Sequence, residues 1–200
     1  MKYEWEDFCR LGNFDGEDCE LDKVLNALPD LEKDATWLAG GALRRVLAGH
    51  KLDSDFDIFF KDATRASNYK IEIEKKGAKL FKETEQHTSY DIEVDGKSRR
   101  IQLIRAIYPT DADDLLDKFD FTICQLAYDG ETVTVGKFTL WDIARKRLAV
   151  HKITHHVSSL RRLLKYTSQG YYACTGCLTD ILLEANLATP GAITGALYVD

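Results

Sequence analysis

The chain has 200 residues and a net charge of −6, and 44% of its residues are hydrophobic. This length and apolar fraction predict one globular domain with a small appendage. The negative net charge argues against non-specific nucleic-acid binding over the whole surface, which needs lysine and arginine, but it leaves room for a local basic patch. The sequence predicts no transmembrane helix and no signal peptide. Its five cysteines are therefore expected to be free thiols in a reducing cytoplasm, unless some of them bind a metal.

The first 35 residues predict a helical lead-in to the main domain. Apolar side chains recur from Tyr3 to Leu11 and again from Leu21 to Leu28, and Pro29 ends the second segment. We expect both segments to cover one face of a sheet and to carry no chemistry.

The stretch from Trp37 to Phe60 is the most informative part of the chain. A short apolar strand leads into Gly40 and Gly41, which permit a sharp turn and a close approach of the backbone to a ligand. A short helix follows and ends at Gly49. Free N–H groups at the start of such a helix can cradle a phosphate.

Two aspartates flank the first residue of the next predicted strand. Side chains two positions apart on a strand point to the same side, so Asp55 and Asp57 are expected to project together. Two neighbouring carboxylates perturb each other's pKa unless a cation lies between them. Mg²⁺ binds such oxygens, commonly together with substrate phosphates.

The order of these features resembles the nucleotidyltransferase superfamily that includes DNA polymerase β, poly(A) polymerases and class II CCA-adding enzymes. The family stretch G-G-x-V-R-D-x-L-L-G is matched by G-G-A-L-R-R-V-L-A-G, and its D-x-D by Asp55-Phe56-Asp57. The resemblance implies an α+β fold, with a small mixed sheet flanked by helices. It also implies Mg²⁺ or Mn²⁺ at Asp55 and Asp57, and an NTP whose phosphates contact the Gly40–Gly41 turn and Arg44.

A hairpin is predicted farther along the chain, with strands at 89–94 and 99–104 around an Asp-Gly turn. The superfamily usually has a third carboxylate on a strand after the D-x-D, and the matching residue here is Gln102. Three explanations remain open. The enzyme works with two carboxylates, another acid such as Asp91 substitutes, or catalysis is lost while nucleotide binding remains.

Two later segments extend the resemblance. Asp120-Phe121-Thr122-Ile123 matches the D-F-T-I of the family element R-R-D-F-T-I-N-A-L-A-Y, whereas Phe119 replaces the preceding arginine. The resemblance implies that Asp120 lies at the nucleotide site. An acid at the start of a predicted strand is otherwise a cap or an exposed end. A predicted helix at 155–166 corresponds to the family's neck. Its basic face includes Arg162, which could contact a triphosphate, although a solvated helix face is an equal alternative.

The family's base-reading element E-D-x-x-R falls on His155, His156 and Ser159 and is therefore absent. Its specificity for C and then A is not carried over to this chain.

Cys174 and Cys177 form a C-x-x-C motif near the end of the chain. The motif permits a zinc site, a redox pair or simply structural thiols. His151, His155 and His156 are the nearest histidines that could complete a zinc site.

These observations predict a lead-in at 1–35, a nucleotidyltransferase domain at 36–150 and a helical neck-like appendage at 151–200. The expected activity is metal-dependent transfer of an NMP from an NTP to a hydroxyl acceptor, with an RNA or tRNA 3′ end as the expected acceptor. The alternatives are a nucleotide-binding or regulatory module without activity, and a minimal nucleotidyltransferase that modifies a protein or small molecule.

Overall fold

The computed structural model describes residues 1–12 and 20–187. The strands of this part are β1 (Lys2–Glu4), β2 (Thr36–Ala39), β3 (Phe56–Phe60), β4 (Lys79–Glu83), β5 (His87–Val94), β6 (Lys97–Ile104), β7 (Leu126–Tyr128), β8 (Thr132–Val135), β9 (Arg147–Leu148) and β10 (Tyr172–Ala173). The helices are α1 (Trp5–Leu11), α2 (Glu20–Ala27), α3 (Gly41–Leu47), α4 (Ala63–Lys75), α5 (Ala112–Asp117), α6 (Thr139–Ala144), α7 (His156–Ser168) and α8 (Thr175–Leu187).

Eight strands form one mixed sheet in the order β1-β8-β7-β2-β3-β6-β5-β4. Neighbouring strands in this sheet are antiparallel except β3 and β6, which run parallel at its centre. The long connection between β3 and β6 contains α4 and the β4–β5 strands. Short strands β9 and β10 pair separately. The α+β fold with a small mixed sheet and flanking helices is thus confirmed.

The two faces of the sheet differ in chemistry because side chains alternate along each strand. One face carries Phe56, Ile58 and Leu103, which are fully or almost fully buried in the main hydrophobic core together with residues of α2 and α4. The opposite face carries Asp57 and Gln102, which pair in register across β3 and β6. We call this opposite face of strands β3, β6, β5 and β4, together with Asp55, the carboxylate face.

A second, smaller core lies on the carboxylate face beside the aspartates. Trp37 of β2 and Phe59 of β3 pack there against Leu115 and Leu116 of α5. Helix α5 therefore covers one part of this face, while Asp55 and Asp57 are only partly buried.

Several local predictions are confirmed and two need correction. The hairpin forms as expected, with Asp95 and Gly96 in the left-handed turn conformation. The lead-in is not wholly helical, because β1 pairs with β8 and extends the sheet. No strand begins at Asp120. A 3₁₀ turn at Thr122–Cys124 follows it, and β7 begins only at Leu126.

The predicted neck helix is α7, and α8 packs beside it. Residues 188–200, the end of the predicted appendage, lie outside the described part of the chain. The boundaries of the three predicted parts remain predictions. Across residues 1–12 and 20–187, no helix is long and apolar enough to span a bilayer.

Candidate functional site

Asp55, Asp57 and Gln102 form a polar cluster at the centre of the sheet. Asp57 and Gln102 are partners across the parallel strands β3 and β6. The side-chain amide of Gln102 donates a hydrogen bond from Nε2 to Asp55 Oδ2, at 2.6 Å. The glutamine therefore lies where a third carboxylate was expected, and it contacts one member of the acidic pair directly.

The electrostatics of the acidic pair favour a bound cation. Burial and the neighbouring Asp55 carboxylate raise the pKa of Asp57 to about 7. Burial also raises the pKa of Asp55. The positive charges of Arg162 and Lys165 act on Asp57 in the opposite direction. A cation bound between the two carboxylates would offset both the burial and the mutual repulsion that raise these pKa values.

This donor set fits Mg²⁺ or Mn²⁺ held jointly with a substrate. Two carboxylates are hard oxygen ligands, and Mg²⁺ commonly combines one or two of them with substrate phosphates. In the described ranges, no three His, Cys, Asp or Glu residues cluster closely enough to hold a metal by themselves. Asp55 and Asp57 would supply two acidic ligands to such a cation, and the remaining ligands would come from water and substrate.

The glycine turn lies beside this cluster, at the end of β2. Gly40 has φ of 79°, a left-handed conformation that strains other residues. Its own N–H donates to the Leu126 carbonyl at 2.9 Å, so Gly40 shapes the turn and is not a free donor for a phosphate. The other backbone donors at this turn are the first-turn N–H groups of α3, which starts at Gly41.

Ser54 is a further candidate site residue, which the sequence analysis did not identify. An added Cβ on Gly41 would lie 3.8 Å from Ser54 Oγ, so this hydroxyl faces the glycine turn and is adjacent in sequence to Asp55. Among the described residues, the Ser54 hydroxyl is a buried side-chain group without a hydrogen-bond partner. The only sequence feature that points to Ser54 is its position immediately before the D-x-D motif of Asp55 and Asp57.

Asp120 and Arg162, both predicted to contact the nucleotide, contact each other. Asp120 Oδ2 accepts hydrogen bonds from Arg162 Nη1 at 2.8 Å and from Ser159 Oγ at 2.9 Å. The Asp120 side chain is 7% exposed and that of Arg162 is 48% exposed. Asp120 therefore anchors an arginine whose side chain is about half exposed and whose charge acts on Asp57.

Lys165, one turn after Arg162 on α7, is the second cation of this group. Its charge lowers the pKa of both Asp55 and Asp57, against the effect of burial. Arg162 and Lys165 of α7 are therefore both close enough for their charges to act on Asp57.

Arg44 has a different environment from the one predicted. It is 3% exposed, and its guanidinium carbon lies 4.3 Å from the centre of the Tyr166 ring. Its Nη2 donates to Gln169 Oε1 at 3.1 Å, and its Nη1 lies 3.7 Å from Cys124 Sγ. The described contacts of Arg44 thus join α3 to α7, and they occupy the guanidinium that was expected to face a phosphate.

Asp91, the acid considered as a replacement for the third carboxylate, forms a two-pronged ion pair. Arg100 donates to its two carboxylate oxygens at 2.7 and 3.1 Å. After burial, which raises the pKa of Asp55, the charge of Arg100 lowers this pKa more strongly than the charge of Asp91 raises it. Asp91 is thus near the acidic pair, but its carboxylate is bound by Arg100.

The C-x-x-C motif does not form a metal site within the described residues. Cys174 is exposed and Cys177 is buried. Burial and the neighbouring Cys174 raise the pKa of the Cys177 thiol to about 11, which disfavours the thiolate that zinc needs. The structure therefore gives no support to zinc at this position.

The fold belongs to the class seen in CCA-adding enzymes. The complex of a CCA-adding enzyme with CTP is similar with a TM-score of 0.64 and 18% identity, over 98% of this chain and 49% of that one. The complex of a CCA-adding enzyme with ATP has a TM-score of 0.59 and 20% identity, over 94% of this chain and 45% of that one. The complex of the Thermotoga maritima CCA-adding enzyme with tRNA has a TM-score of 0.55 and 20% identity, over 94% of this chain and 44% of that one. At these identities the likeness shows the fold, and this chain spans about half of those proteins.

The chain belongs to the Gabija anti-defense 2 family, whose model matches residues 15–146. It is 27% identical over 144 residues to the protein named Gabija anti-defense 2 of Bacillus phage SPbetaL7. The match covers 70% of this chain and 35% of that relative, so the chain spans about a third of the phage protein's length.

Proposed function

We propose that this protein is a metal-dependent nucleotidyltransferase that moves an NMP from an NTP to a hydroxyl acceptor, such as an RNA 3′ end. The observation that carries the proposal is a polar cluster in which Asp57 and Gln102 pair across the parallel strands β3 and β6 and Gln102 binds Asp55. This cluster has two cations of α7 on one side and a glycine turn on another. The nucleotidyltransferase fold of the structural neighbours supports the same conclusion.

Each part of the cluster has a role in this reaction. Asp55 and Asp57 would hold Mg²⁺ or Mn²⁺, which stabilises charge on the attacking and leaving oxygens in phosphoryl transfer. The first N–H groups of α3 and the Ser54 hydroxyl bind phosphate oxygens. Arg162, anchored by Asp120, and Lys165 offset the negative charge of the triphosphate. Such reactions depend mostly on positioning and electrostatics.

The reaction itself is a displacement at the α-phosphate. The acceptor oxygen forms a bond to the α-phosphorus, the bond to the bridging oxygen breaks, and pyrophosphate leaves. The hydroxyl proton passes to solvent, because Gln102 cannot accept it. The protein's contribution is to align the acceptor, the α-phosphate and pyrophosphate.

The phage relative's name suggests a biological role for this activity. We infer that nucleotidyl transfer serves the anti-defence role that this name states. In Gabija-carrying host cells infected by phage, wild-type protein should restore phage growth. The double variant Asp55→Asn/Asp57→Asn should fail to do so at equal protein levels.

A nucleotide-binding module without activity is the second candidate. The observation that favours it is Gln102, which replaces an acid with a neutral amide beside Asp55. Such a module would still bind an NTP with a divalent cation, but it would release no pyrophosphate.

A transfer assay distinguishes the two candidates. Purified protein is incubated with Mg²⁺ or Mn²⁺, each α-labelled NTP and total RNA including tRNA. We expect label in a discrete RNA band with the wild type and none with Asp55→Asn/Asp57→Asn. The matched control is Asp53→Asn, the same chemical change in an exposed loop acid that pairs with Arg45. It should keep full activity.

Other outcomes of this assay are equally informative. Bound NTP without any transfer would favour the binding module. Transfer of label to a protein or small molecule in a cell extract, and not to RNA, would support the third function predicted from the sequence. Activity in the double variant equal to the wild type would refute the assignment of the site.

A further inference from the structure

The edge strand β4 carries an irregularity that redirects its side chains. Leu80 pairs with Tyr90, on the face that holds the main core, whereas Lys82 pairs with Ser89, which lies opposite Gln102. One residue, Phe81, is therefore extra on β4, as in a β-bulge. Bulges re-aim side chains next to functional sites. Here the bulge places Lys82 on the carboxylate face. Regular alternation after Leu80 would have placed Lys82 on the face that holds the main core.

Phe81 lies on the carboxylate face as well, because it contacts Arg100 there. The guanidinium carbon of Arg100 is 3.4 Å from the centre of the Phe81 ring. Arg100 is fixed in turn by its two hydrogen bonds to Asp91. The ring is thus supported from one side and remains 56% exposed. A rigid, supported and exposed aromatic ring is suited to stacking with a flat ligand.

This surface is continuous with the acidic pair. Arg100 lies on β6 two residues before Gln102, which contacts Asp55. Strands β4 and β3 are three strand spacings apart in the sheet, which is about 14 Å. A polymer bound along this path would have its end at Asp55 and Asp57 and its preceding units over Phe81.

The charges on the path favour a polyanion. Lys79 pairs with Asp91, and Lys82 with Ser89, so both lysines belong to the carboxylate face with Arg100. Glu83 pairs with Thr88 and binds Lys70, on the other face. Asp91 is occupied by Arg100. The path therefore presents exposed lysines beside an aromatic ring, within a protein whose net charge is −6.

We propose that Phe81, Arg100, Lys79 and Lys82 form the acceptor subsite, and that the acceptor is a single-stranded nucleic acid whose base stacks on Phe81. This inference rests on the proposed nucleotidyltransferase function, since it names the acceptor of the same site. Stacking on an aromatic side chain combined with cations along the backbone is how proteins bind single strands. A protein acceptor would not need an open ring flanked by lysines.

Binding of a labelled short single-stranded RNA, followed by fluorescence anisotropy, tests this subsite. Phe81→Ala should weaken binding about tenfold, as expected for loss of one stacked base. The matched control is Leu80→Ala, because Leu80 is adjacent, 55% exposed and on the opposite face. It should change the affinity by less than about twofold. Lys82→Gln should lower the dependence of log affinity on log salt by about 0.7.

Two further measurements separate this inference from the proposed function. Calorimetry with Mg²⁺ and a non-hydrolysable NTP analogue should show equal nucleotide affinity for the wild type and Phe81→Ala. If the wild type binds no nucleotide, the proposed function fails. If it binds nucleotide but no single strand, the subsite alone is wrong. The subsite would also be overturned if Phe81→Ala and Leu80→Ala lost equal amounts of RNA affinity. Preferential binding of duplex RNA, or transfer of label to protein only, would overturn it as well. Thermal melting checks that both variants fold.

Discussion

Arg44 and Arg162 carry the same charge and were both predicted to contact the nucleotide, but the structure gives them different surroundings. Arg44 is 3% exposed and lies among Tyr166, Gln169 and Cys124. Arg162 is tied to Asp120 through one nitrogen, and half of its side chain is exposed. The comparison shows that tertiary packing, and not the motif alone, decides how exposed each arginine remains. We expect mutations to divide accordingly, with Arg44 governing stability and Arg162 governing nucleotide affinity.

The largest effect on stability is expected from Arg44→Ala. The change removes a buried side chain and its contact with Tyr166, so the free energy of unfolding should fall by about 3 kcal/mol. Arg44→Lys should not restore it, because lysine lacks the planar group that stacks on the ring. Urea unfolding measures both. Arg45→Ala, next on the same helix, removes a side chain that is 14% exposed but pairs with the exposed Asp53. It should cost less than Arg44→Ala, about 1 kcal/mol, because half of its ion pair is solvated. Equal losses at the two positions would contradict the buried role of Arg44.

Arg162→Ala should show the reverse pattern. Nucleotide affinity in Mg²⁺, measured by calorimetry, should fall about tenfold because a cation beside the triphosphate is lost. Stability should fall by less than about 2 kcal/mol, since Ser159 still donates to Asp120. Arg161→Ala, on the neighbouring exposed position of α7, is the control and should leave the affinity unchanged. A large loss of stability without loss of affinity would assign Arg162 a purely structural role.

Gln102→Glu tests whether the glutamine limits the site. A third carboxylate should raise the affinity for Mn²⁺ about tenfold, because more ligand charge strengthens cation binding. Without a cation the same variant should be less stable than the wild type, since three acids would then lie together. Mn²⁺ titration and thermal melting with and without Mn²⁺ measure these effects. Gln102→Ala serves as control for loss of the hydrogen bond to Asp55. An unchanged Mn²⁺ affinity in Gln102→Glu would place the cation away from Gln102.

The smallest effect is expected from Ser54→Ala. The hydroxyl has no partner among the described residues, so its removal should leave stability unchanged within about 0.5 kcal/mol. Nucleotide affinity should fall by a factor of about five, the value of one hydrogen bond to a phosphate. Calorimetry and urea unfolding together measure the two quantities. A destabilised variant with normal affinity would show that the hydroxyl supports the fold instead of the ligand.

The parts of the site that depend on local pattern were predictable from the sequence. The glycine turn, the strand with Asp55 and Asp57, and the hairpin that carries Gln102 follow from spacing and alternation within short segments. The resemblance placed Gln102 at the position of the third carboxylate, and the structure adds that Gln102 pairs with Asp57 across β3 and β6.

The parts that depend on long-range packing were not predictable. The surroundings of Arg44 are built by residues about eighty or more positions later in the chain, including Cys124 and Tyr166. The structure has a 3₁₀ turn after Asp120, where a strand was expected, and the Asp120 carboxylate binds Arg162. The bulge at Phe81 arises from pairing with β5, and no residue type in β4 signals it. Tertiary pairing overrides local preference at each of these places.

The most direct test of the account is a crystal structure with Mn²⁺ and a non-hydrolysable NTP, with anomalous scattering used to locate the metal. We predict a Mn²⁺ peak within about 2.5 Å of carboxylate oxygens of both Asp55 and Asp57. The triphosphate should lie between Ser54 and Arg162. A metal peak bound elsewhere, or a nucleotide placed away from the acidic pair, would contradict the assignment of this site.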